Sequence, residues 1–291
     1  AGPAYQNFAF TYNKFQEIGG PATTPNIKGL YFPHGADNIL VEGNLFNNIR
    51  SGLTKSVTAV NNGDSNSTDP SEGVVIKDNI FMNLSSEGKG AYGVLLNNGT
   101  GAPGAIITGN SFSDLYGGGW THAVGMEGPS QGAMVMSNTF AKLTSGGSDN
   151  SAVFFEANPV GNTVTVEKNQ FNGTGFLGVA IHPNDIPLNY QVDASPNWWN
   201  SIDGPIPSQT YGNISTTPWC GDPGCTFLNP QFLPAGVTAA EIQAAIDAAI
   251  PGMIIVIPPG TYNYPGGFVI NNPGVTILFM DGAIVQNSSP C

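Results

Sequence analysis

The chain has 291 residues, a formal net charge of −12, a single arginine (Arg50) and only 10% charged residues, with Gly and Asn abundant. That balance argues against nucleic acid, anionic membrane and phosphate-rich ligands as natural partners, and leaves cations or neutral glycans. No apolar run is long enough for membrane insertion and no basic-then-apolar targeting pattern opens the chain; a start at Ala1 fits either removal of a leader or excision from a longer chain, and an extracellular setting, secreted or at the cell surface, is expected.

In chain order, the first feature is a repeat. The segments FAFTYNKFQEI, ILVEGNLFNNI, VVIKDNIFMNL, AIITGNSFSDL, AMVMSNTFAKL and VTVEKNQFNGT align without gaps on an Asn-x-Phe core. Their asparagines, Asn13, Asn44, Asn79, Asn110, Asn138 and Asn169, are spaced 31, 35, 31, 28 and 31 residues apart, and Asn197 of PNWW follows after 28 more. Before each Asn, apolar and polar residues alternate (Ile39, Val41, then Glu42; Val74, Ile76, then Lys77), the period-two pattern of a strand with one buried face. At the Asn the chain must turn, because Asn tolerates the left-handed conformation and its amide can bond to identical amides in the coils above and below. Phe15, Phe46, Phe81, Phe112, Phe140, Phe171 and finally Trp199 then form an internal aromatic column.

Between these segments lie GLYF, VTAV, GVLL, AVGM, AVFF and GVAI, so each period of about 31 residues holds at least two short strands with Gly/Asn/Ser corners. Stacking such periods gives an all-β fold, a parallel β-solenoid with coils roughly 4.8 Å apart, over residues 1–200. Residues 201–235 read as a Pro/Gly-rich extended connection containing WCGDPGC. In an oxidising compartment Cys220 and Cys225 close that turn as a local disulfide and Cys291 is left odd; two reduced thiols are the alternative. Asn66, Asn83, Asn98, Asn172, Asn213 and Asn287 stand in sequons that permit N-glycosylation.

Residues 236–291 read as a beginning. Thr238 is an N-cap with Glu241 three residues on, and Ile242, Ala245, Ile246 and Ile250 share one face of a short capping α-helix over 238–250 that stops before Pro251 and Gly252. MIIVIPPGTYNY, FVINN and VTILFMDGAIVQN then supply the strands of a first coil or two.

On these residues the chain resembles the right-handed parallel β-helices of the pectin-lyase-like superfamily. VEGNLFNNI is similar to the coil repeat of that group, and SPNWWNSIDGP resembles its Asn-Trp-Trp-Gly-x-x-x-Gly-Pro signature, with Asn200 where Gly is usual. Residues 236–263 resemble its capping start, here displaced to the C-terminal side of the coils. The resemblance implies a right-handed solenoid with a lidding helix; it says little about activity, because the fold hosts lyases, hydrolases, epimerases, tailspikes and adhesins. Three arrangements of the displaced element fit. It folds back onto its own first coil at 5–18, or the chain is one unit of a longer tandem protein, or the element is the base for the first coil of the next molecule. The last is a head-to-tail contact that builds a filament unless it closes into a ring, and it is the favoured expectation.

The catalytic signatures that the resemblance would bring, Asp-Asp, Asn-Thr-Asp and Gly-His-Gly, or Asp-Pro-His, are absent. One column remains. Aligning AVGMEG, AVFFEA and GVAIHP puts Glu127, Glu156 and His182 at one position of three successive coils, with neighbours about 5 Å apart. Two carboxylates so placed suit a retaining glycosidase, and the trio suits a bound cation; a solvated turn column, with Asn61 and Asn97 in earlier coils, is the bland alternative. His122 and Asp185 are candidates for the same neighbourhood, His34 reads as a surface histidine, and Tyr92, Trp120 and Trp198 are too scattered to suggest a sugar platform. The sequence therefore points to a structural protein, the subunit of an extracellular filament or surface array with itself as partner. No cofactor is expected beyond Ca2+ as a structural ion. The alternative is a glycan-active or glycan-binding module using the Glu127, Glu156 and His182 column.

Overall fold

A computed structural model describes residues 5–19, 26–32, 35–63, 70–96, 101–147, 149–156, 164–184 and 191–286. These form an all-β parallel solenoid of about six turns with one α-helix. Each full coil gives one strand to each of three sheets. In one coil these are Val75–Lys77, Ile80–Ser86 and Gly90–Leu96; in the next they are Ile106–Thr108, Ser111–Gly117 and Trp120–Met126. Neighbours stay parallel and in register, Ile76 against Val41 and Ile107, and Phe81 against Phe46 and Phe112.

The asparagines form a continuous ladder at the corner between the first and second sheets. Each backbone N–H and each Nδ2 donates to Oδ1 of the next coil's Asn, from Asn13 to Asn197; between Asn110 and Asn138 these bonds are 2.9 and 3.0 Å. The left-handed turn does not fall on the ladder asparagines, as the sequence reading has it, but on the residue before each. Tyr12, Gly43, Asp78, Gly109, Ser137 and Lys168 have φ between 54° and 66°. Turning there frees the Asn to aim its amide along the stack. A second left-handed residue, Asn48, Asn83, Asp114 or Lys142, bends the second-sheet strands, which is why Phe46 and Ile49, or Phe112 and Leu115, both face the core three residues apart. Alternation alone does not foresee that bend. The phenylalanine rings stack with centroids 4.7 to 5.5 Å apart from Phe15 to Phe171, and Trp199 ends the column 4.6 Å further on.

Past the last ladder Asn, Thr210–Tyr211 joins the third sheet and Ile214–Ser215 the first, and the Cys220 N–H donates to the Asn197 carbonyl. Cys220 and Cys225 are disulfide-bonded. The tail has its own sheets: Leu228–Phe232, Met253–Ile257 and Thr276–Phe279 in one, Gly260–Asn263 and Ala283–Gln286 in the other. Its helix, Ala239–Ala248, is capped reciprocally, the Thr238 N–H donating to the Glu241 carboxylate and the Glu241 N–H to Thr238 Oγ1. Ile242 and Ile246 pack with Ile255, Ile257 and Tyr262 into a second core. Ile250, placed on the buried face by periodicity, is exposed because the helix ends two residues before it. FVINN is not a strand: Gln243 of the helix takes both backbone groups of Val269, at 2.9 Å each, in place of a sheet neighbour. Thr238→Ala should lower the tail's stability by about 1 kcal/mol, read as a shift in thermal midpoint.

Candidate functional site

The third sheet turns its outer face away from the core, and its register sets out three rows. Tyr92, His122 and Ser151 align in one row and Gly125, Phe154, Ala180 and Tyr211 in the second. Glu127, Glu156 and His182 follow the strands as the third. Their N–H groups donate to the carbonyls of Leu96, Met126 and Phe155 at 3.0, 2.8 and 2.8 Å, one coil back in each case. Gly63 makes the equivalent bond to Phe32, so Gly63 holds this position in the earlier coil; Asn61, assigned to it by sequence, aligns instead with Gly125 through Leu95. The strands read as apolar throughout, so the polar outer row was hidden among core residues.

Two of the aromatics that look scattered in sequence meet here. Trp120 Nε1 donates to Tyr92 Oη at 2.6 Å, and Tyr92 Oη donates to Glu127 Oε1 at 2.8 Å. Trp198 lies elsewhere, bridged to Gln170 on the second sheet. Burial pushes the Glu127 carboxyl above its ordinary range; the Tyr92 hydrogen bond opposes this and the Glu156 charge adds to it. Burial likewise raises Asp149, which His182 pulls back. Tyr92 is raised well above its usual value, by burial first and then by the Glu127 charge.

His122 is almost wholly enclosed. Its ring stacks on Phe154 with centroids 4.0 Å apart, Nδ1 lies 2.8 Å from Ser151 Oγ, and Nε2 lies 3.7 Å from Asp149 Oδ2. Burial, with His182 second, draws it down to about 3, so at neutral pH the imidazole is uncharged and its approach to Asp149 is not an ion pair. Ser151, His122 and Asp149 are the residue types of a nucleophilic triad, but Ser151 is fully buried and its hydroxyl cannot meet an acyl carbon. His122 is a fixed, neutral part of the face.

Beside this network opens a cleft of about 340 Å³, with Phe154, Leu177 and Ala180 as apolar wall and Asp149, His182 and Tyr211 as polar rim. Tyr211 follows the last repeat, where no sequence pattern marks it. Among the described residues no three His, Cys, Asp or Glu are grouped to hold a metal ion, Glu127, Glu156 and His182 included. His34, Asn66, Asn97, Asn98, Asp185, Asn287 and Cys291 lie outside the described residues; of the remaining sequons Asn83 and Asn213 are exposed and Asn172 is half-buried. Compared with protein-family models, with curated proteins and with solved structures, the chain matches none.

Proposed function

We propose that the chain is an extracellular glycan-binding β-solenoid of the pectin-lyase-like kind, and that the cleft on the outer face of its third sheet holds a neutral saccharide. The observation that carries this reading is the composition of the cleft: an exposed Tyr211 ring and the apolar Phe154, Leu177 and Ala180 line it together with the Asp149 carboxylate and the His182 imidazole. A sugar ring has apolar C–H faces and a rim of hydroxyls, and it needs both kinds of surface at once. The net charge of −12 disfavours polyuronates and leaves neutral chains. The Cys220–Cys225 disulfide supports an oxidising compartment.

Titration calorimetry with neutral oligosaccharides and with polygalacturonate tests the reading. A neutral saccharide should bind, and Tyr211→Ala should weaken it at least about tenfold, 1.4 kcal/mol, without moving the thermal midpoint. Binding indifferent to Tyr211→Ala, or none, would overturn it. Sugar release abolished by Glu127→Gln or Glu156→Gln would make the face catalytic, with the raised Glu127 carboxyl as proton donor.

A further inference from the structure

We infer that this chain stacks head to tail on a second copy of itself, the tail strands Thr276–Phe279 and Ala283–Gln286 of one copy seating against the first-coil strands Tyr5–Thr11 and Lys14–Gln16 of the next. The inference is independent of the saccharide reading and rests on strand order and on misplaced core side chains.

In a solenoid every strand has an earlier neighbour on one side and a later one on the other. Among the described residues, Tyr5–Thr11 pairs only with the later Ala36–Glu42, and Lys14–Gln16 only with the later Leu45–Ser51. Thr276–Phe279 pairs only with the earlier Met253–Ile257, and Ala283–Gln286 only with the earlier Gly260–Asn263. Each end thus offers the neighbour that the other lacks. The two edges also have the same layout, two strands joined by a short corner with a left-handed residue, Tyr12 at the head and Gly282 at the tail.

Side chains at both edges lie in core rows and yet meet solvent. Phe8 is in register with Ile39, which is 1% exposed, but Phe8 itself is 37% exposed. Phe279 and Val285 are in register with the buried Ile257 and Tyr262 and are 42% and 41% exposed. Stacking one edge on the other returns these residues to the interior and satisfies two rows of strand hydrogen bonds. Among the described residues no tail strand pairs with a head strand: the tail strands form separate sheets, joined to the far end of the coils through the Cys220–Leu228 bridge. The contact is heterologous, so a copy seated on a copy leaves a fresh head and a fresh tail.

Phe8→Lys blocks the head and Phe279→Lys blocks the tail, and both positions are exposed enough to tolerate charge in the single copy. Sedimentation and electron microscopy of the unaltered chain should show oligomers that lengthen with concentration and with salt, since salt screens repulsion between acidic copies. Each variant alone should stay monomeric with an unchanged circular dichroism spectrum, and an equimolar mixture should give dimers and nothing longer. Where either variant fails to fold, Gln6→Pro and Val285→Lys make the same test. A monomeric unaltered chain at every concentration overturns the inference. So do dimers of the head-blocked variant alone, which would mean a symmetric tail-to-tail contact.

Discussion

Asn138→Ala should destabilise the solenoid by about 2–6 kcal/mol, and Asn13→Ala by well under about 1 kcal/mol, although both remove the same side chain from the same motif. Asn138 is fully buried; its Oδ1 accepts from the Asn110 N–H and Nδ2, and its own Nδ2 donates to the Ile107 carbonyl and to Asn169 Oδ1. Alanine leaves the Asn110 N–H without its acceptor and Ile107 without that donor in a place water does not reach. Each buried orphan costs about 1–3 kcal/mol. Asn13 is exposed at the head of the ladder, so water replaces what is lost. Denaturant midpoints at constant m-value measure both changes. Equal losses at the two positions would mean that the ladder acts through local turn geometry and not through buried amides. Asn138→Asp should be no rescue, because it keeps the acceptor, loses both donors and buries a charge.

The solenoid is legible in the sequence because its coils repeat one chemical requirement at fixed spacing. Asn-x-Phe must recur wherever an amide has to bond its copy one coil away and a ring has to stack on its copy. The capped helix is legible for a similar reason, since Thr238 and Glu241 need only each other. What the sequence hid were choices settled between coils. The left-handed residue before each Asn is Tyr, Gly, Asp, Gly, Ser or Lys, too varied to be a signal, because the backbone bonds of the stack impose the turn. The FVINN segment has a strand's composition, but Gln243 satisfies its backbone first. The Glu127, Glu156 and His182 column was readable by alignment, whereas the cleft joins Asp149, Phe154, Leu177 and Tyr211 from three successive coils at outer positions of apolar strands. Such a site exists only once the register is fixed. A one-residue slip would turn those side chains to the opposite face.

Stability should fall as the pH drops from about 6.5 towards 3, and His122→Gln should remove most of that fall. In the unfolded chain His122 protonates near 6.5, and in the folded protein only near about 3. Above 6.5 both states hold it neutral and it contributes no slope. Below 6.5 the unfolded state takes up a proton that the folded state refuses, so unfolding gains about 1.4 kcal/mol per pH unit, to at most about 5 kcal/mol at the lower end. Glu127 and Asp149 work against this. Their raised carboxyls bind protons more readily in the folded state, so their contribution to stability grows as the pH falls through the carboxylate range. The net slope of the native protein should therefore be shallower in the lower half of the window than in the upper half. His122→Gln keeps a hydrogen-bonding group beside Ser151 but loses the stack on Phe154, which should lower stability at pH 7 by about 1 kcal/mol. The two stability curves should then cross, the variant being weaker at neutral pH and stronger in acid. Parallel curves would mean that His122 is solvated and titrates normally. The enclosed outer row, and with it the stack that holds Phe154 beside the cleft, would then be wrong.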